Sequence, residues 1–275
     1  MGIKTLAMTL EVQICTFGAE GLSRVAKMSL PIMADVLYTV CLQNPKNDSF
    51  TLPPELDRKD IRILAHNSIG LSNNRNFGID NAVGDIILIA DDDLNYKKEG
   101  LKAVVSAFEK NPNLDFAAFK HCGGDNKKFP ETEFDFRDGE PKGYYLTSFE
   151  LAFRRQSLPH GLRFSSQLGV GAPIFRAAEE SVFLFRLKKE KLRGKFFPVT
   201  IVQHPGMTTG VREATEGSLC AQGAWIWIRY GWIEGFLRVL RDVPRRNTSP
   251  AKAAKGLIKG YLLAHRYFSK DGKDR

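Results

Sequence analysis

The chain has 275 residues, of which 43% are apolar and 26% charged, and it carries a formal charge of +9 at pH 7. That length and composition exclude a disordered chain and a minimal scaffold, and leave room for one large α/β domain or a domain with an appendage. The surplus of cations suits an anionic partner (nucleic acid, a nucleotide diphosphate or an acidic lipid surface) and equally serves solubility.

Cys15, Cys41, Cys122 and Cys220 are widely spaced and form no CxxC or Cys/His cluster. This spacing argues against thiolate metal ligation and against a disulfide framework. Dispersed thiols, with no export-length apolar run near the start, point to a reducing compartment, and the expected location is cytoplasmic. No stretch reaches the roughly 18 to 20 apolar residues of a spanning helix.

In chain order, Glu11–Thr16 reads as a strand, followed by a glycine-containing turn and a helical stretch over Leu22–Met28. Val36–Leu42 is a second strand, rich in β-branched and aromatic residues. Pro45, Pro53 and Pro54 keep the next segment irregular, and Ile61–Ala65 is a third strand. Ser72 is expected to cap a helix ending near Asn81. The nearly continuous apolar run Asp85–Ala90 suits a parallel strand covered on both faces. Leu101, Val104, Val105 and Phe108 have helical spacing, and Asn111-Pro112 ends that helix. Leu114–Phe119 is a fifth strand.

Thr147-Ser148-Phe149-Glu150 resembles a capping box opening a short helix. Gly169–Gly171 makes a turn before a helix from about Glu179 to Lys191, and Lys195–Val202 is a last strand ending at His204-Pro205. Strands alternating with helices imply a doubly wound, mostly parallel α/β sheet with helices on both faces, whose ligands sit at the carboxyl ends of strands.

Asp91, Asp92 and Asp93 stand at such an end. Three adjacent carboxylates repel one another unless a cation offsets them, and Mg²⁺ or Mn²⁺ characteristically takes one or two carboxylates together with phosphate oxygens. Upstream, Gly70 and Ser72 would permit a tight strand-to-helix turn with backbone N–H groups facing a ligand, and Arg75, followed by the amide of Asn76, offers a fixed cation for a diphosphate.

The run GLSNNRNFGIDNAVGDIILIADDDL resembles the core of family 2 glycosyltransferases with the GT-A fold: a G-x-(S/A)-x-x-R-N helix, a G-(D/E) turn, an apolar strand and a DxD-type aspartate motif. The resemblance covers about Val12 to Val202 and is specific from Gly70 to Asp93. It implies a nucleotide-sugar donor (a UDP-sugar favoured), a Mn²⁺ or Mg²⁺ ion and inversion at the anomeric carbon. The implied acceptor is a saccharide or a lipid-linked saccharide, as in bacterial-type surface polysaccharide or glycoconjugate synthesis. Carried onto this sequence, it gives Thr16, Gly70, Arg75, Asn76, Asp91 and Asp92 to the donor, and Asp91 and Asp93 to the metal. It places the general base at Glu180, the second residue of the Glu179-Glu180 pair, where family members often have aspartate. A histidine near the end of the catalytic region would complete the metal shell, and His204 stands there.

These readings divide the chain into a catalytic domain over 1–212 and an aromatic, basic, helical region over 213–275. The catalytic domain would have a donor-binding half to about 120 and an acceptor half after it. In the C-terminal region Trp225, Trp227, Tyr230, Trp232 and Phe236 lie among arginines. That composition fits either packing on the catalytic domain or peripheral attachment to the inner face of a membrane. Two other functions share some of these features. A sugar-nucleotidyltransferase would use the same nucleotide and metal, but Thr16–Glu20 is a poor match to its glycine-rich loop. A nucleic-acid-binding module would account for the charge, but no standard motif for it is present.

Overall fold

A computed structural model describes residues 8–124, 127–205, 215–246 and 248–268. In chain order the elements are β1 (Leu10–Phe17), α1 (Gly18–Ala26), β2 (Val36–Gln43), β3 (Ile61–His66), α2 (Leu71–Asp80), β4 (Ile86–Asp91), β5 (Asn95–Tyr96) and α3 (Lys98–Lys110). There follow β6 (Phe116–Cys122), β7 (Phe134–Asp135), β8 (Leu151–Arg154), α4 (Glu179–Lys189), β9 (Gly194–Gln203), α5 (Glu216–Tyr230), α6 (Ile233–Asp242) and α7 (Pro250–Phe268). The described residues form two compact units. Of the described residues, those within 8–68, 74–162 and 190–205 belong to one, and those within 69–73, 163–189 and 215–268 to the other.

The first unit is built on one sheet of order β3-β2-β1-β4-β8-β6-β9-β5, with β7 paired to β9. From β3 to β4 every pairing is parallel. Beyond β4 the sheet becomes mixed, because β8 runs antiparallel between β4 and β6. Successive side chains of a strand point to opposite faces. On one face of β1, Leu10, Val12 and Ile14 join Leu22 and Val25 of α1 in the core. On the other face Glu11 and Gln13 are also fully buried. The Glu11 carboxylate accepts from Val83 N–H (2.6 Å), Gly84 N–H (2.7 Å) and the Thr39 hydroxyl (2.7 Å), and Gln13 donates to the Gly78 carbonyl of α2 (2.6 Å). Both faces are therefore covered, and the polar positions of β1 bind backbone instead of water.

The sheet has its switch point at β1: β2 and β3 extend it on one side, β4 and the later strands on the other. Ligand crevices in open α/β sheets lie at such a point, beyond the strand ends. Here those ends are Thr16 and Asp91, with Cys15 of β1 opposite Asp91 of β4.

The second unit has a separate core of Leu168, Phe175, Val182, Leu219, Trp227, Leu257 and neighbours. Its helices α5 and α7 cross closely because both carry glycines: a Cβ on Gly223 would stand 2.1 Å from the Leu257 carbonyl, and one on Gly260 would stand 1.9 Å from that of Cys220. Trp227 is completely buried and Trp225 half-buried, so two of the three tryptophans pack inside the protein. Among the described residues no helix is long and apolar enough to cross a membrane.

Candidate active site

The three aspartates leave β4 in different directions and take different partners. Asp92 is latched. Thr16 Oγ1 donates to its Oδ2 at 2.6 Å, and Arg24 of α1 grips both oxygens, Nε at 3.1 Å and Nη2 at 2.7 Å. The latch depends on Gly21, where a Cβ would stand 2.0 Å from Thr16 Oγ1 and 3.3 Å from Asp92 Oδ2. Arg24 is a residue the sequence reading missed. It lies one helix beyond the strand and belongs to no recognisable motif.

Asp91 faces Arg75. The Arg75 side chain is only 1% exposed; its Nη2 donates to Ser148 Oγ at 2.6 Å and lies 3.4 Å from Asp91 Oδ1. Its guanidinium is thus inside the protein, holding a carboxylate and a hydroxyl. Ser148 is presented by a short 3₁₀ turn, Ser148–Glu150, at the capping box read from the sequence. The short helix expected there is this single turn, after which the chain enters the short strand β8. Glu150 is fully buried and accepts from Thr147 N–H (3.1 Å) and Lys127 Nζ (2.6 Å), with His121 Nδ1 at 2.8 Å.

Asp93 faces His204. His204 Nε2 lies 3.6 Å from Asp93 Oδ1, with the imidazole 6% and the carboxylate 45% exposed. Burial raises the Asp93 carboxyl above its ordinary pKa; the imidazole pulls it down and the charges of Asp91 and Asp92 push it up. The ring of His204 stacks on Phe149 at 5.3 Å, and its backbone N–H donates to the Cys122 carbonyl at 2.9 Å. The histidine is therefore fixed by β6 and the Phe149 turn.

Asn74 ties α2 to the strand ends. Its amide donates to the carbonyls of Thr16 (3.1 Å) and Cys41 (2.9 Å), and its oxygen faces His66 Nε2 at 2.9 Å. Asn76, the amide singled out from the sequence, is half-buried. Cys15 lies beneath this cluster, its thiol pushed up to about 12 by burial, so it stays protonated and inert.

The remaining expected site residues belong to the second unit. Gly70 and Gly171, with φ of +102° and +84°, pass so closely that a Cβ on Gly171 would stand 2.9 Å from Gly70 Cα. Leu71 N–H donates to the Val170 carbonyl (2.8 Å), so it is already committed to the protein. Ser72 lies inside α2, not at its cap, and its hydroxyl donates to the Leu168 carbonyl at 2.7 Å. Glu179 opens α4 after Ala178, which has φ +70°; Glu179 is 4% exposed and Glu180 is half-buried.

Among the described residues no three His, Cys, Asp or Glu side chains converge into a ready-made cation site. Asp93 and His204, 3.6 Å apart, are two groups of that chemistry. A hard divalent ion bound with a substrate diphosphate needs only one or two protein oxygens, because phosphate supplies the rest. The donor set therefore fits an ion that arrives with a nucleotide.

Residues 53–180 match the family model described as glycosyl transferase family 2. A search of curated proteins gives no match. Among solved structures, S. aureus TarS superposes with a TM-score of 0.54 at 16% identity, over 96% of this chain and 45% of that one. Its 1–349 portion in complex with UDP-GlcNAc gives 0.56 at 16% identity, over 95% and 73%. The mannosyltransferase PcManGT from Pyrobaculum calidifontis, in complex with GDP-Man and Mn²⁺, gives 0.52 at 12% identity, over 96% and 71%. The chain thus spans less than half the length of TarS. The likenesses establish the fold that the alternation of strands and helices implies.

Proposed function

We propose that this chain, whose residues 53–180 match the glycosyl transferase family 2 model, moves a sugar from a nucleotide-diphosphate sugar to a saccharide or lipid-linked saccharide, with inversion. The observation that carries this reading is the meeting of Asp93 and His204 at 3.6 Å, beyond the strand end where Asp91 and Asp92 are already held in place. The complexes of TarS with UDP-GlcNAc and of PcManGT with GDP-Man and Mn²⁺ support the donor class and the ion. UDP is the favoured nucleotide.

In this proposal Asp93 and His204 would hold the divalent ion, with Asp91 as a further candidate ligand, and an imidazole among the ligands would favour Mn²⁺ over Mg²⁺. When bound, the ion would supply positive charge to the diphosphate as it leaves. The protein's own part is positional. Arg75 fixes Asp91, while Thr16 and Arg24 fix Asp92, so these two carboxylates are held in place before the donor arrives. Glu180, assigned from the family pattern, takes the proton of the acceptor hydroxyl. As it does so, that oxygen bonds to the anomeric carbon from one side, and the bond to the diphosphate breaks on the other.

The test is release of nucleoside diphosphate from a panel of nucleotide sugars with Mn²⁺ and saccharide acceptors. The expected result is turnover of one donor by the wild type and its loss in Asp93→Asn. Undiminished turnover in that variant would remove the aspartate from the reaction.

A further inference from the structure

Helix α6 reverses the usual arrangement of an amphipathic helix. Ile233, Phe236, Leu237 and Leu240 follow the i, i+3, i+4, i+7 spacing that normally marks a core-facing stripe. Here these residues are 82, 45, 62 and 49% exposed, and Trp232 beside them is 47% exposed.

The helix is held from its other side. Gly235 and Val239 are buried, and a Cβ on Gly235 would stand 2.9 Å from the Tyr261 ring of α7. The Tyr261 hydroxyl donates to the carbonyls of Gly231 (3.2 Å) and Trp232, where α6 begins. The outward stripe is thus a consequence of how α6 is anchored, not of a loose segment.

The charges around the stripe select its partner. Glu234 pairs with Arg238 (2.7 Å) and Asp242 with Arg241 (2.9 Å), which uses up the acids of α6. Arg245 and Arg246 share the same Asp242 (3.7 and 3.8 Å), so over 229–246 five arginines stand against two acids, and α7 carries no acid among its residues. An apolar stripe in a segment whose arginines outnumber its acids is complementary to an anionic bilayer, which offers hydrocarbon beneath a layer of negative headgroups. An indole such as that of Trp232 sits at headgroup depth. With ten residues α6 is too short to cross, and lies in the interface plane.

We propose that the outer face of α6 inserts Ile233, Phe236, Leu237 and Leu240 into the headgroup layer of an acidic membrane, with the arginines at its C-terminal end on the phosphates. The proposal is independent of the glycosyl-transfer reading. The probe is flotation of the full chain with vesicles of phosphatidylcholine, alone or mixed with phosphatidylglycerol, at low and high salt. The wild type is expected to float with the acidic vesicles at low salt. Ile233→Glu with Leu237→Glu should lower that partition by about tenfold or more, at an unchanged urea midpoint because both side chains are exposed. If that variant fails to fold, Arg245→Glu with Arg246→Glu gives a second reading and should weaken binding to acidic vesicles only. A wild type that ignores acidic vesicles at low salt overturns the proposal, as does a folded Ile233/Leu237 variant that floats like the wild type. Sedimentation velocity covers the alternative occupant: a dimer dissolved by the same variant, without flotation, would assign the stripe to a second copy and overturn the membrane assignment.

Discussion

Gly21→Ala perturbs the site without altering any residue that contacts it from solvent. The new Cβ would stand 2.0 Å from Thr16 Oγ1 and 3.3 Å from both Thr16 Cβ and Asp92 Oδ2. Two escapes are open. Rotation of Thr16 breaks its 2.6 Å bond to Asp92, and a hydrogen bond to a charged acceptor is worth about 1.5–3 kcal/mol. A shift of α1 off β1 instead incurs overpacking of about 1–3 kcal/mol and drags Arg24 with it. Either way the loss is about 2 kcal/mol, and Asp92 keeps at most one of its two partners. The assay is the urea midpoint at constant slope, with titration of nucleoside diphosphate and Mn²⁺ into the same protein. Ser23→Ala, on the exposed face of α1, is the control and should stay within about 0.5 kcal/mol. If Gly21→Ala matches that control in stability and in donor affinity, α1 does not brace the aspartate turn and the latch is wrong.

Asp93→Asn should abolish ion-supported binding of nucleoside diphosphate with the fold intact, and His204→Ala should weaken it by about tenfold or more in the same titration. Glu180→Gln should lower turnover by about two orders of magnitude with donor affinity little changed; damage from Glu179→Gln instead would exchange their roles. Lys127→Met removes the ammonium from the buried Glu150 carboxylate and should cost about 3 kcal/mol in chemical denaturation, largely recovered when Glu150→Gln is added.

The parallel part of the sheet was legible because its strands are continuous apolar runs separated by proline or glycine, and Asp91–Asp93 stood out as charge at the end of one of them. Strand β8 was not: Leu151–Arg154 is four residues long and directly follows a capping box, which reads as the start of a helix. Periodicity also says nothing about which face an element buries. Glu11 and Gln13 look like a solvated face of β1, yet they are buried because the turn at Val83-Gly84 and the α2 backbone need acceptors and donors there. The same gap applies to the C-terminal helices, where the tryptophans are the conspicuous residues in the sequence. Trp227 is core, and the exposed apolar surface is the stripe on α6, whose spacing alone would have placed it inside. At the site, the motif singled out Arg75. Its burial and its bond to Ser148 depend on a segment more than seventy residues away, which no local pattern records.

The most direct test of the central claim is the thermal shift of the full chain with UDP- and GDP-sugars, each measured with Mn²⁺ and with a chelator. Ligands that bind the native state raise apparent stability by mass action. A nucleotide sugar should stabilise the wild type only when Mn²⁺ is present and leave Asp93→Asn unmoved. Stabilisation that persists in the chelator and in Asp93→Asn, or none from any nucleotide sugar with Mn²⁺, would contradict the assignment.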